Sequence, residues 1–288
     1  MEKSKLVLGT VQLGMPYGVG NTSGQPDREE AFRILDYAYA GGINTFDTAS
    51  AYGSAEALLG EWIASRSLEK DVYVITKIRG DAAEGVRADI ESSLQRLQLE
   101  KLDGCLLHMP QAMHDPNTVG DLEEAKRSGV IAHIGVSIYE PQDALRAVEA
   151  GIEYIQVPYN VFDQRLDRTD FFQKAASAGS IVFARSVFLQ GLLLMEPKNV
   201  PAHLFAALPH LERFRGLATA HGASPLQAAL SYVLQRDGID HVVFGVESLN
   251  QLNEILATKE MNEKLLEELN REFKHIDESI LNPALWKK

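Results

Sequence analysis

Four ionisable side chains stand at or just after the ends of short strand-like runs. Asp47 ends the run Asn44-Thr45-Phe46-Asp47, and Tyr52 follows it five residues later. Lys77 closes a run rich in β-branched residues, and His108 closes the run Leu106-Leu107-His108. Because the carboxyl ends of the strands in a parallel α/β barrel converge on one cavity, these four side chains are expected to meet. A phenol beside a lysine, a carboxylate and an imidazole predicts proton donation to a carbonyl oxygen.

The phenol is the predicted proton donor, and it needs help because a tyrosine ordinarily keeps its proton up to about pH 10. An ammonium about 4 Å away stabilises a phenolate by on the order of 4 kcal/mol at an effective dielectric constant near 20. Lys77 is the candidate ammonium, and Asp47 is expected to keep it charged and oriented. His108 is expected to position the substrate oxygen or to share the proton.

Reduction of a carbonyl group also requires a hydride donor. No Gly-x-Gly-x-x-Gly motif follows a strand, which excludes a Rossmann-type dinucleotide site. The usual alternative in a barrel is a phosphate site formed by the loops after strands seven and eight, and the second of these loops opens a helix whose N-terminus favours an anion. The candidate residues in the two loops are Arg185, Ser186, Leu189, Gln190, Gly191, Gly245, Glu247, Ser248 and Gln251.

The elements that must position these residues alternate between strand and helix about eight times. The predicted strands are Leu6–Leu8, Thr45–Asp47, Val72–Lys77, Gly104–His108, His133–Ser137, Tyr154–Pro158, Ile181–Arg185 and His241–Gly245. Amphipathic stretches between them include Glu29–Ala40, Ala55–Ser65, Glu84–Leu97, Gln142–Ala150 and Ala202–His221. This alternation predicts an α/β fold, a closed (β/α)8 TIM barrel. Two additional C-terminal helices are expected at Leu249–Leu256 and Asn262–Ile280.

The length of the chain and the positions of several glycines and prolines support this arrangement. α/β barrels run to roughly 250 residues as one unit, so residues 1–288 are expected to form a single domain. Gly41-Gly42, Gly151 and Gly179 are placed to end helices, and Pro141 and Pro225 to begin them.

Composition narrows the class of partner. The net charge is −12, from 28 Lys and Arg against 40 Asp and Glu, which argues against a nucleic-acid or anionic-membrane partner. No apolar run approaches the roughly 20 residues that span a bilayer, so a cytoplasmic protein is expected. The single cysteine, Cys105, excludes an internal disulfide and is expected to be packed. No group of ligand-type residues has metal-site spacing, so no metal is expected.

Seven short motifs follow one another along the chain. They are Leu8-Gly9-Thr10, Phe46-Asp47-Thr48-Ala49 with Tyr52-Gly53, Ile75-Thr76-Lys77, Leu106-Leu107-His108-Met109-Pro110, Ile134-Gly135-Val136-Ser137, Leu189-Gln190-Gly191-Leu192-Leu193 and Gln227–Leu234. In this order the sequence resembles the aldo-keto reductase family, over about residues 5 to 257.

The resemblance implies a (β/α)8 barrel, an extended nicotinamide dinucleotide and NADPH-dependent reduction of aldehydes or ketones. It implies a catalytic tetrad of Asp47, Tyr52, Lys77 and His108, with Tyr52 as the acid. It further implies cofactor contacts, two of them (Ser137 and Gln156) to the nicotinamide carboxamide and one (Glu254) on the adenine side. The full set by resemblance is Gly9, Thr10, Asp47, Ser137, Gln156 and Glu254.

The sequence also departs from the family pattern. Ile138 stands where an asparagine usually follows the serine, and Arg185 where many members stack a tyrosine on the nicotinamide. A guanidinium can stack too, or pair with an anionic substrate group or a phosphate. Between Asp237 and Thr258 there is no Lys or Arg to hold a 2′-phosphate, but there is Glu247. A carboxylate repels that phosphate and accepts hydrogen bonds from a 2′-hydroxyl, which predicts that NADH is used at least as well as NADPH.

The predicted substrate is a small carbonyl compound whose identity the sequence leaves open. Tyr17, Met109 and Tyr139 are expected to join Tyr52 and His108 in its pocket. We expect a monomer or a weak homo-oligomer. Two alternatives stay open: a non-catalytic or regulatory barrel subunit that binds NAD(P)H, and a lyase in which a neutral lysine forms a Schiff base.

Overall fold

Eight parallel strands close into a barrel in the order in which they occur in the chain. A computed structural model describes residues 2–80 and 85–286. Each strand pairs with its neighbours in sequence, and the last pairs with the first, so that Leu6, Val7 and Leu8 lie opposite Val242, Val243 and Phe244. The predicted (β/α)8 TIM barrel is confirmed.

The strand bounds agree closely with those predicted. The strands are β1 (Leu6–Gly9), β2 (Thr45–Asp47), β3 (Tyr73–Ile78), β4 (Leu102–Leu107), β5 (Ile131–Ser137), β6 (Tyr154–Pro158), β7 (Ile181–Arg185) and β8 (His241–Phe244). Three of the eight, β2, β6 and β7, have the predicted bounds; β1, β5 and β8 differ by one or two residues at one end, and β3 and β4 differ by one or two residues at both ends. As corrections, His108 and Gly245 do not end their strands but follow them by one residue.

Helices cover the outside of the barrel. The α-helices are α1 (Val11–Gly14), α2 (Arg28–Ala40), α3 (Ala55–Arg66), α4 (Gly85–Leu97), α5 (Pro116–Arg127), α6 (Pro141–Glu149), α7 (Phe171–Ala178), α8 (Leu208–Ala220), α9 (Pro225–Leu234), α10 (Leu249–Leu256), α11 (Glu263–Glu272) and α12 (Glu278–Leu281). The 3₁₀ segments are Pro110–His114, Arg165–Arg168, Leu189–Leu194, Pro197–Asn199, Ala202–Ala207 and Pro283–Leu285. Glu84, the predicted first residue of α4, lies outside the described residues.

Two predicted helices are interrupted. The stretch Ala202–His221 is a 3₁₀ segment followed by α8, and Pro209 lies in the first turn of α8. Proline has no backbone N–H to continue a helical ladder, so the helix has to begin again there. The stretch Asn262–Ile280 divides into α11 and α12, because Asp277 caps a new N-terminus by accepting from the backbone N–H of Ser279.

The barrel interior is filled beneath the carboxyl ends of the strands. Ile75, Leu106, Tyr154 and Phe183 belong to an apolar cluster separate from the one between strands and helices. The Tyr154 hydroxyl donates to Asp103 (3.1 Å) and accepts from Lys3, whose Nζ also lies 2.9 Å from the Asp103 carboxylate. These side chains therefore close the barrel at its amino-terminal end.

Two other sequence predictions concern single residues. The His133 ring stacks on the Tyr154 ring with the centroids 4.4 Å apart, so it packs at the amino-terminal end of the barrel. Cys105 is fully buried between strand and helices, and burial raises the pKa of its thiol far above the usual range. Within residues 2–80 and 85–286, no helix combines the length and the apolarity that a bilayer crossing needs.

Candidate active site

A buried ion pair lies at the carboxyl ends of β2 and β3. The Lys77 ammonium donates to Asp47 Oδ1 at 2.5 Å and to the carbonyl oxygen of Thr48 at 3.0 Å. The two charged side chains are only 1% and 5% exposed. The Lys77 Nζ lies 5.0 Å from the centroid of the Tyr52 ring. The predicted tyrosine, lysine and aspartate are thus in contact.

The charge of this lysine is maintained against burial. Burial opposes the ammonium form, but the Asp47 carboxylate and the Tyr52 side chain outweigh this effect. The net result is that the pKa of Lys77 is raised above its usual value. Asp47 is held in turn by the side chain of Gln156, whose Nε2 donates to Asp47 Oδ2 at 2.7 Å. Both carboxylate oxygens therefore have a fixed partner.

The His108 ring lies against the Tyr52 ring. The two rings meet edge to face, with centroids 6.0 Å apart and an interplanar angle of 88°. Burial, followed by the charges of Lys77 and Arg185, lowers the pKa of His108 to about 4. The imidazole is consequently neutral near pH 7, and one of its nitrogens carries a hydrogen that it can donate.

A short loop after β2 sets the position of Tyr52. The backbone N–H groups of Thr48 and Ser50 donate to the carbonyls of Ile75 (2.8 Å) and Lys77 (3.0 Å), which ties the loop to β3. Gly53 follows with φ of +56°, and a Cβ there would lie 2.4 Å from the carbonyl oxygen of Gly14. Only glycine fits this turn, which directs the chain from Tyr52 into α3.

A cavity of about 620 Å³ opens above these groups. Most of the residues predicted for the site line it, namely Gly9, Tyr17, Asp47, Tyr52, His108, Ser137, Tyr139, Gln156, Arg185, Ser186, Gln190, Gly191, Gly245, Glu247 and Gln251. Lys77 lies beneath the cavity floor, where Asp47 and Tyr52 cover it.

The remaining predicted residues stand outside the cavity lining. Met109 is 48% exposed, and Glu254 lies on the exposed face of α10. Leu189 is buried in the core, and Ser248 caps α10 by accepting from the backbone N–H of Gln251. The Thr10 hydroxyl donates to the Asp47 carbonyl at 3.2 Å, so it supports the site from below.

The loop after β7 has an unusual backbone. Leu189, Gln190 and Gly191 have φ values of +48°, +55° and +89° in succession. Positive φ is rare for residues other than glycine, and such strain concentrates at functional sites. The Gln190 side-chain amide donates to the Tyr17 hydroxyl at 3.1 Å. The backbone carbonyl of Gln190 accepts from the backbone N–H of Gly20 at 3.1 Å. The loop and the Tyr17 segment therefore form one wall of the cavity.

Gln12 is a lining residue that the sequence prediction missed. Its Oε1 is buried without a hydrogen-bond partner in residues 2–80 and 85–286, and a Cβ on Gly245 would lie 2.1 Å from that oxygen. The glycine after β8 thus leaves room for the amide beside the cavity. The position of Gln12 just after β1, at the same end of the barrel as the other site residues, was the available signal.

The comparison that decides the family covers nearly the whole chain. The profile described as "Aldo/keto reductase family" matches residues 5–278.

The chain belongs to the aldo/keto reductase family.

It is accordingly an NAD(P)H-dependent oxidoreductase, as its resemblance to the family predicted. Relatives within the family are distant. "Aldo-keto reductase str7" of Strobilurus tenacellus is 26% identical, over 91% of this chain and 84% of its own length. "D-threo-aldose 1-dehydrogenase" of a Pseudomonas species is 27% identical, over 82% of this chain and 85% of its own length.

The fold recurs in a solved family structure. An aldo-keto reductase from Bacillus halodurans, in its holo form, superposes with a TM-score of 0.78 at 22% identity. The match covers 98% of this chain and 96% of the other. At this identity the likeness concerns the fold.

The low pKa of His108 makes a prediction about pH. In the folded protein the pKa of His108 is about 4, so the imidazole stays neutral until the pH falls to that range. In the unfolded chain a histidine has a pKa near 6.5. Between these values the unfolded state binds more protons, so this residue makes the native state less stable as the pH falls. The ring signal of His108 in an NMR titration, assigned by its absence from His108→Gln, should not titrate above about pH 5. A midpoint near 6.5 would contradict these effects of burial and neighbouring charge.

Proposed function

We propose that the protein reduces the carbonyl group of a small aldehyde or ketone, with Tyr52 as the proton donor. In this reaction the carbonyl carbon accepts a hydride, the oxygen accepts the Tyr52 proton, and the nicotinamide dinucleotide is oxidised. The observation that carries the proposal is the buried Lys77 ammonium, held by Asp47 and 5.0 Å from the Tyr52 ring at the floor of the cavity.

The arrangement favours the state in which negative charge develops on the oxygen. The ammonium stabilises the phenolate that remains after Tyr52 has given up its proton. Neutral His108, whose ring meets the Tyr52 ring edge to face, offers a hydrogen-bond donor at the same cavity, so its proposed role is to position the substrate oxygen. The Lys77 ammonium is held by Asp47 and the Thr48 carbonyl before substrate arrives, which is the preorganisation that favours developing charge.

The residues around the cavity fit a nicotinamide dinucleotide, which supplies the hydride when bound. Gln156 Oε1 is buried and has no hydrogen-bond partner within the described part of the chain, as expected of an acceptor for the carboxamide of the nicotinamide. Ser137 lines the same part of the cavity. Gln12 Oε1, which also lacks a hydrogen-bond partner among the residues that the structure describes, lies beside Gly245 and is proposed to accept from a cofactor hydroxyl. The β7 loop and the α10 N-terminus are the proposed pyrophosphate site.

The two alternatives are less well supported. A Schiff base requires a neutral Lys77 amine, whereas the Asp47 carboxylate and Tyr52 hold the pKa of that lysine above its usual value. A purely regulatory barrel would have no need of the complete set of Asp47, Tyr52, Lys77 and His108 around one cavity. The name of one relative, D-threo-aldose 1-dehydrogenase, also supports oxidoreductase chemistry.

Removing the Tyr52 hydroxyl tests the proposed acid. Tyr52→Phe should lower kcat for aldehyde reduction by at least about 100-fold, because a positioned general acid typically contributes that much. The dissociation constant of the reduced cofactor, measured by fluorescence titration, should change little. The matched control is Tyr37→Phe, which removes a surface hydroxyl bonded to Asn253 at 2.9 Å. Turnover by Tyr52→Phe at the rate of that control would eliminate Tyr52 as the donor.

The cofactor preference rests on Glu247. Glu247 lines the cavity, and its carboxylate accepts a hydrogen bond from Gln251 Nε2 at 2.7 Å. The backbone N–H of Glu247 donates to Gln251 Oε1 at 2.8 Å. A negative charge fixed at this place repels a 2′-phosphate and can accept from a 2′-hydroxyl. We therefore propose that NADH is used at least as well as NADPH.

Comparing kcat/KM for the two cofactors tests this preference. Glu247→Gln should improve NADPH relative to NADH by at least about fivefold, since one removed charge about 4 Å away is worth about 1 to 4 kcal/mol. Glu260→Gln, at an exposed residue beyond α10, is the matched control and should leave the ratio unchanged. A wild-type preference for NADPH above about 100-fold would refute the proposal.

A further inference from the structure

Arg185 is the last residue of β7 and lines the cavity together with Tyr52 and His108. Its guanidinium is fixed by three contacts. Nη2 donates to the Ile138 carbonyl at 2.8 Å, Nη1 donates to Ser186 Oγ at 3.2 Å, and Cζ lies 4.6 Å from the centroid of the Tyr139 ring. The cation is therefore held in one place at the wall of the site.

Its hydrogen-bonding capacity is not filled. A guanidinium has five N–H donors, and the two hydrogen bonds above use two of them. Nε is buried and has no partner among the described residues. An unpaired buried donor is costly, so native proteins rarely keep one without a reason.

Arg185 also differs from similar arginines of this chain, because it forms no ion pair with a described residue. Arg96, Arg165, Arg215 and Arg236 are partly buried, and each forms an ion pair with at least one carboxylate. No carboxylate in the part of the chain that the structure describes lies within 4.0 Å of Arg185 in an ion pair. In a protein with 40 acidic residues, a buried or partly buried cation ordinarily has a carboxylate partner, so the position of Arg185 at the cavity calls for an explanation.

The groups around Arg185 suit a carboxylate. The exposed rings of Tyr17 and Tyr139 flank it, and the charge of Arg185 acts on both Tyr17 and His108. Nη1 and Nη2 each carry a second N–H beyond the hydrogen bonds above, and two such donors match a planar carboxylate, which a guanidinium can bind through two parallel hydrogen bonds. The phenol groups add further donors and an apolar surface beside it.

We propose that Arg185 binds an anionic group of the substrate, so that the preferred substrates are aldehydes or ketones carrying a carboxylate. This inference rests on the proposed carbonyl reduction and adds the chemical class of compound that the same site takes. The carboxylate is bound in both the ground state and the transition state, so its loss should appear mainly in KM.

A matched pair of probes tests the inference: 4-carboxybenzaldehyde and its neutral methyl ester. For the wild-type protein, kcat/KM should be at least about tenfold higher for the carboxylate, as expected for a charge-assisted contact. Arg185→Gln should lower kcat/KM for the carboxylate by at least about 30-fold, mainly through KM, and should lower the ratio of the carboxylate value to the ester value by at least about tenfold. Arg185→Lys should recover part of the loss, because it keeps the charge but not the planar fork.

Equilibrium binding separates this role from a contact with the cofactor. The alcohol product, 4-(hydroxymethyl)benzoate, should bind the oxidised holoenzyme at least about tenfold more weakly in Arg185→Gln than in the wild type. Cofactor affinity should be the same in both proteins. If Arg185→Gln lowers the affinity for the cofactor and lowers kcat/KM for both aldehydes by the same factor, Arg185 acts on the nicotinamide and the inference is overturned. Equal wild-type rates with acid and ester also overturn it. Failure to reduce either aldehyde with either cofactor refutes instead the proposed reductase function.

Discussion

The ion pair between Lys77 and Asp47 is the interaction on which the rest of the site depends. Taking an ammonium and a carboxylate out of water costs several kcal/mol for each ion unless the partners are close and their other bonds are filled. Here the Thr48 carbonyl completes the lysine and the Gln156 amide completes the aspartate. The pair therefore stays charged under a cavity floor, where a cation next to Tyr52 acts with little screening.

The barrel makes this arrangement possible because each member comes from a different strand end. Parallel strands in closed register bring Asp47, Lys77 and Gln156 to the same level, although Gln156 lies far along the chain. Apolar side chains such as Leu106 and Phe183 fill the interior below them, so water does not reach the pair from the other end. The neutral state of His108 has related causes, since burial and, after it, the charge of Lys77 both disfavour the protonated imidazole.

Most of the fold and the floor of the site could be predicted because they depend on local signals. Strands of β-branched residues and their ends are visible in sequence, and they place Tyr52 and Lys77 together once a barrel is assumed. The wall of the site depends on tertiary contacts instead. The positive φ angles at Leu189 and Gln190 have no local signature, and Gln12 matters only because Gly245 stands opposite it across the barrel closure. Glu254 lies on the exposed face of α10, and its contact with the adenine side of a cofactor stays a prediction.

A double-mutant cycle tests most directly whether the lysine acts through the phenol. The rate of hydride transfer in a single turnover is measured for the wild type, Tyr52→Phe, Lys77→Met and the double variant, each first shown to be folded by its unfolding midpoint. If the ammonium serves the Tyr52 proton, the double variant should be no more than about threefold slower than Tyr52→Phe alone. If the two losses multiply, Lys77 and Tyr52 act independently, and the coupling of the buried ammonium to the phenol is contradicted.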